Sequence, residues 1–295
     1  MVDLHTHSNA SDGDFSPCLL MQEAAKRGIN AIALTDHDTI NGLENARAFA
    51  AISNIRLIPG IEISISWANE KFNSDRLGGA PGPGGEFHLL GLGISEPSAA
   101  FLSAIGELAR RREARNREIM DKMRDLNIKT DWEEFMALSG GHSLGRPHFA
   151  SLLIKHKVVS NREQAFARYL GAGKPLYVPK EGLDFEVAVH LIRDSKGIPV
   201  LAHPMSLYIA WGRLPDFVKT LKNMGLMGLE AWHPTAKASA CRRLELLGKS
   251  LGLYITEGSD FHGATAPGRK LGRSNPGRDI SDGVLQAIPE LAAGG

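Results

Sequence analysis

Apolar runs that end in histidine or carboxylate recur along this chain, separated by stretches of helical character. The chain opens on Asp3-Leu4-His5-Thr6-His7, and Thr35-Asp36-His37-Asp38 follows the run Ala31 to Leu34. Glu62 lies in the run Arg56 to Ile65, Ala202-His203-Pro204 closes Pro199-Val200-Leu201, and Ser259-Asp260-Phe261-His262 comes after Leu253-Tyr254-Ile255. Residues two apart on a strand share a side, so His5 and His7 present both imidazoles to one point. Strands alternating with helices specify a parallel α/β sheet or barrel. In a barrel the C-terminal strand ends converge on one rim, where the chemistry is done. An isolated His-x-His is a common coincidence, but a series of polar strand ends is not.

Between the strands, Ser16-Pro17 starts a helix that Gly28 can close. From about Pro97 to Pro179 the pattern changes to a long Arg- and Glu-rich helix, Ala99 to Leu126, followed by shorter helical pieces. We read residues 99–177 as an inserted helical domain that caps the substrate, and residues 1–98 with 178–295 as the barrel. The segment Leu77 to Gly85 is mostly Gly and Pro, an irregular excursion that separates Glu62 from His88.

A chain of 295 residues accommodates a barrel with a small insertion. Its net charge of +1 gives no electrostatic case for a dedicated DNA-binding or membrane surface, so an anionic ligand needs a local site. Cys18 and Cys241 belong to no Cys-x-x-Cys pair and are expected as free thiols. No leader-like or membrane-spanning apolar run is evident, so a cytoplasmic setting is expected. No feature points to a protein partner.

The polar residues at or near strand ends are His5, His7, Asp12, His37, Glu62, His88, His203, Asp260 and His262. Imidazole and carboxylate without thiolate suit zinc, manganese or iron. Six histidines and three carboxylates exceed the roughly three protein ligands of one catalytic ion, so two or three clustered ions are expected. Three divalent ions against three carboxylates leave about three positive charges, enough for a phosphate dianion and a hydroxide. Such ions lower the pKa of bound water to about 7 and stabilise entering and leaving oxygens, which makes phosphoester hydrolysis the natural reaction. Asp3, Asp36 and Asp38 are read as hydrogen-bonding supports, and His142, His156 and His190 as surface residues.

His5-Thr6-His7 with Ser11-Asp12-Gly13, Thr35-Asp36-His37-Asp38, Gly60-Ile61-Glu62, Ala202-His203-Pro204 and Ser259-Asp260-Phe261-His262 resemble the ordered motifs of the polymerase and histidinol phosphatase (PHP) family. The resemblance implies a distorted (β/α)7 TIM-like barrel with a multinuclear, manganese-preferring site. It also implies one ion on His5, His7, Glu62 and Asp260, a second on bridging Glu62 with His88 and His203, and a third on Asp12, His37 and His262.

Gly145-Arg146-Pro147-His148 and Gly173-Lys174-Pro175 resemble the subfamily of nucleoside 3',5'-bisphosphate phosphatases and related enzymes that degrade short RNA from the 5' end. An Arg fork, a Lys charge and an imidazole can grip phosphate, so Arg146, His148 and Lys174 are candidates for a second, non-reacting phosphate. The resemblance implies release of the 3'-phosphate of such a bisphosphate by metal-bound hydroxide, with no general acid assigned. The alternatives are 5'-3' exoribonuclease action on short RNA at the same site and a non-catalytic metal-binding PHP domain. Histidinol phosphate is disfavoured because it lacks a second anion. Arg110-Arg111-Arg112, Arg115 and Arg117 alternate with Glu107, Glu113 and Glu118 at helical spacing and read as a salt-bridged face. Trp232 is open to two readings, stacking on a base or packing.

Overall fold

The computed structural model describes residues 1–67, 83–138, 144–275 and 277–292. Contacts divide the chain into two compact units, Met1–Ser103 with Gly182–Gly295 and Ala104–Glu181.

The first unit is built on a seven-stranded sheet in sequence order. Its strands are β1 (Val2–Thr6), β2 (Ala31–Leu34), β3 (Arg56–Ser64), β4 (His88–Leu92), β5 (Ile198–Leu201), β6 (Gly228–Trp232) and β7 (Tyr254–Glu257). The ends of the sheet meet: Thr6 bridges Phe261 in parallel, the His7 amide donates to the Phe261 carbonyl (3.0 Å), and the Asp260 amide donates to His5 (2.8 Å). The result is a nearly closed barrel. Helix α1 (Pro17–Lys26) starts at Ser16, whose side chain accepts from the Leu19 amide, and it is followed by Gly28 at φ +69°. Helix α2 (Leu43–Ser53) ends on Asn54 in the left-handed region. Strands β1, β2, β4, β5 and β6 are buried along their whole length.

Strand-helix alternation implies parallel strands throughout, but β4 runs antiparallel to both β3 and β5. A consequence follows for the rim. An antiparallel strand begins where its parallel neighbours end, so His88, the first residue of β4, sits opposite Ser64, the last residue of β3. Most of the Leu77 to Gly85 excursion, and His142, lie outside the described residues.

Helix α3 (Ala99–Asp125) leads from the first unit into the second, which continues with α4 (Trp132–Ala137) and α5 (Arg146–Lys155). Its core gathers Ile119, Met123, Phe135, Phe149, Leu152, Leu153, Leu170 and Leu176, with the Phe135 and Phe149 rings stacked 4.0 Å apart. The Arg-rich face of α3 carries the ion pairs its spacing predicts, including Arg110–Glu107 (2.6 Å) and Arg117–Glu113 (2.7 Å). Arg115 departs from that pattern: it is buried and its Nε donates to the Val178 carbonyl (2.9 Å). Among the described residues no helix is long and apolar enough to cross a membrane.

Candidate metal centre

The barrel rim collects the polar strand ends into three overlapping groups whose potential ligand atoms lie within 4.8 Å of one another. The groups are His5, His7, Glu62 and Asp260; His7, Asp12, His37 and His262; and His37, Glu62 and His88. Glu62 stands between them. Its Oε2 faces His5 Nε2 (3.3 Å), His7 Nε2 (3.2 Å) and His37 Nδ1 (3.0 Å), while its Oε1 faces His88 Nδ1 (3.0 Å) and His203 Nε2 (2.8 Å). His203 is therefore brought to the same carboxylate from β5. Asp12 Oδ1 lies 3.2 Å from His262 Nε2.

His5, His7 and Glu62 are fully buried, whereas the side chains of Asp12 and His37 keep 20% and 14% of their exposure. Access from solvent is thus on the Asp12 and His37 side. Two of these groups sit on strained backbone: His203 has φ +26° and Asp260 φ +48°, in the left-handed region that non-glycine residues rarely occupy. Close backbone packing completes the shape. A Cβ added at Gly258 would come within 2.3 Å of the His5 Cβ.

Burial opposes the charge on Glu62, yet the attraction of His37, His88 and His5 outweighs it and holds the carboxyl well below its usual range. The same balance holds for Asp260, through His5, His262 and Arg269, and for Asp12, through His262 and His37. Conversely, burial lowers the His7 pKa, but the Asp260 and Glu62 carboxylates, each 3.2 Å from its Nε2, raise it to about 9. These carboxylates draw positive charge into a desolvated space, where a divalent cation competes with those protons. Asp12 Oδ1, Glu62 Oε2 and Asp260 Oδ1 are buried with no hydrogen bond, as ligand atoms aimed at a cation would be. The donor set of imidazole nitrogen and carboxylate oxygen fits zinc, manganese or iron.

Supporting carboxylates act as the sequence predicts. Asp36 accepts from the Ser8 amide (2.8 Å) and from the hydroxyls of Ser8 and Ser11 (both 2.7 Å). Asp38 accepts from the Ser64 amide and hydroxyl. Buried Asp3, its pKa raised to about 6 by desolvation, accepts from the His5, Ser259 and Gly272 amides.

Three contributors escape sequence reasoning. Glu230, fully buried in β6, accepts from His5 Nδ1 (2.9 Å) and from the His203 amide (2.7 Å). His233 Nε2 lies 3.0 Å from Asp260 Oδ2, and Arg269 Nη1 lies 2.7 Å from the same oxygen. A carboxylate inside an apolar strand is a readable signal for Glu230, and a strand-end position is one for His233. Arg269 lies in a Gly/Pro-rich loop with no such mark. Trp232 packs: it is buried, its Nε1 donates to Glu245 (2.8 Å) and Arg278 lies over its ring.

Arg146, His148 and Lys174 belong to the second unit. Arg146 and His148 share the first turn of α5, where His148 Nδ1 accepts from the Gly145 amide (3.1 Å). Lys174 is exposed on a turn closed by its amide to the Gly171 carbonyl (3.0 Å).

The PHP domain family model matches residues 3–175, more than half of the sequence. The chain belongs to the PHP domain family. The PHP chain is 33% identical, over 88% of its length and 89% of the relative's, to a 5'-3' exoribonuclease of Haemophilus influenzae. It is 29% identical, over 92% of its length and 91% of the relative's, to a 3',5'-nucleoside bisphosphate phosphatase of Chromobacterium violaceum. Among solved structures, a candidate metal-dependent phosphoesterase of Bifidobacterium adolescentis superposes with a TM-score of 0.80, covering 97% of this chain and 94% of its own at 24% identity. That likeness establishes the PHP barrel as the fold.

Proposed function

We propose that this PHP protein is a metal-dependent phosphoesterase whose substrate is a nucleoside 3',5'-bisphosphate, from which it releases the 3'-phosphate. The observation that carries the reading is Glu62, whose two oxygens face different sets of histidines. A carboxylate so placed would bridge divalent ions, which would supply a nucleophile from water at neutral pH and neutralise charge on a transferring phosphoryl group. A neutral imidazole offers one lone-pair nitrogen to one ion. His7 Nε2 lies nearer Asp260 (3.2 Å) than His7 Nδ1 lies to Asp12 (4.0 Å), so His7 is assigned with His5, Glu62 and Asp260. Asp12, His37 and His262 would then hold a second ion, and Glu62, His88 and His203 a third. Manganese is the expected metal.

In this reading the chain's own groups have distinct tasks. His5 donates its Nδ1 proton to Glu230, which leaves Nε2 as the ligand atom. Asp260 offers Oδ1 to the centre while His233 and Arg269 hold Oδ2. Residues 99–177 are proposed to act as the substrate cap, with Arg146, His148 and Lys174 contributing to recognition of the non-reacting phosphate. Similarity to the C. violaceum bisphosphate phosphatase supports this choice. A second reading, 5'-3' exoribonuclease action on short RNA, is favoured by similarity to the H. influenzae enzyme and uses the same centre.

Phosphate release by manganese-supplied protein separates the readings, with adenosine 3',5'-bisphosphate run beside 5'-AMP, 3'-AMP and a short 5'-phosphorylated RNA. Turnover of the bisphosphate to 5'-AMP is expected; preference for RNA would make the protein a nuclease, and turnover of none would remove the phosphoesterase assignment. Arg146→Ala should raise KM for the bisphosphate about tenfold or more with manganese content unchanged, the effect of losing a charge-assisted contact to a remote phosphate. An unaltered KM would take Arg146 out of the substrate site.

A further inference from the structure

Arg269 returns from the loop after β7 to touch the metal centre at two points. Its Nη1 lies 2.7 Å from Asp260 Oδ2, 3.2 Å from the Asp260 carbonyl and 3.0 Å from His262 Nδ1. One guanidinium nitrogen thus meets members of two different ligand groups. The rest of the fork has another aspect. Among the described residues Nη2 and Nε hold no protein acceptor, and the side chain keeps 26% of its exposure.

Satisfying the hydrogen-bonding capacity of Asp260 Oδ2 does not by itself call for Arg269, because His233 Nε2 already sits 3.0 Å from the same oxygen. A permanent cation beside a site that gathers divalent ions is repelled by them, and the repulsion is relieved when an anion lies between. A tetrahedral dianion with several acceptor oxygens meets that need, and a planar fork with open donors is shaped to bind it. A phosphate held by ions on Asp260 or His262 would lie beside the residues that Arg269 touches.

We infer that Arg269 is a catalytic residue that contacts the phosphoryl group undergoing hydrolysis, with Nη1 anchored on Asp260 and Nη2 and Nε directed to phosphate oxygens. This rests on the phosphoesterase reading but not on the choice between bisphosphate and RNA. Charge on a phosphoryl group in transfer is stabilised by such a donor without any change in the ligand set.

The test compares manganese-loaded wild-type protein with Arg269→Met and Arg269→Lys, measuring manganese per chain, inorganic phosphate binding by titration calorimetry, and kcat and KM. Manganese content is expected to stay at the wild-type level in both variants. Phosphate binding should weaken about tenfold to a hundredfold in Arg269→Met, the loss of a charged hydrogen-bonding contact, with part of it recovered in Arg269→Lys. Unchanged phosphate affinity in Arg269→Met, in a wild type that binds and hydrolyses, would overturn the inference alone. Loss of manganese that matches the loss of phosphate binding would also overturn it, by showing that Arg269 acts only through Asp260. A wild type that neither binds phosphate nor hydrolyses a phosphate ester would remove the phosphoesterase reading and this inference together.

Discussion

A Glu62→Gln variant is expected to lose phosphate-ester hydrolysis by at least about a thousandfold, some ~4 kcal/mol of transition-state stabilisation, together with part of its manganese. Glutamine keeps the size of the side chain and one carbonyl oxygen, so packing in β3 is preserved. It removes the charge that His5, His7, His37, His88 and His203 all face. It also replaces one of the two oxygens by an NH2 group, which cannot ligate a cation. Ions on both sides of the bridge are weakened at once, which is why a single atom exchange should outweigh the loss of any one histidine. Manganese per chain by mass spectrometry and turnover with saturating metal provide the check. Full metal content with full turnover in the folded variant would show that Glu62 does not bridge.

The polar strand ends made much of this centre legible in the sequence, because a strand that enters a barrel rim carries its terminal side chains to a common point. His5, His7, His37, Glu62, His203, Asp260 and His262 follow that logic, and the structure gathers them. His88 obeys a different rule. It starts a strand, and only the antiparallel course of β4 carries it to the rim beside Ser64. Strand direction depends on pairing partners distant in sequence, so alternation alone does not reveal the course of β4. Glu230 and Arg269 were missed for a related reason. Their importance lies in contacts to His5 and Asp260 across gaps of more than two hundred residues and of nine residues respectively, and neither gap has a periodicity to read. The strained φ values at His203 and Asp260 were likewise invisible, since the tertiary frame imposes them.

Glu230→Ala should weaken metal binding by roughly ten- to a hundredfold and lower stability, although Glu230 is assigned to no ion. The carboxylate accepts from His5 Nδ1 and the His203 amide, so it fixes ligands that arrive from β1 and from the end of β5. Burial opposes its charge, but attraction and a hydrogen bond from His5 hold its carboxyl below the usual range, so it is an anion where it acts. Removing it leaves two buried donors without acceptors, each costing about 1–3 kcal/mol. It also frees the His5 ring to turn and to adopt the tautomer whose Nε2 carries the proton and cannot ligate. Glu230→Gln separates these effects. Its amide oxygen can satisfy only one of the two donors, so metal affinity should recover in part while Tm without metal stays below that of the wild type. Manganese titration and thermal unfolding with and without metal would decide the matter, and wild-type affinity in Glu230→Ala would show that His5 is held in place without this carboxylate.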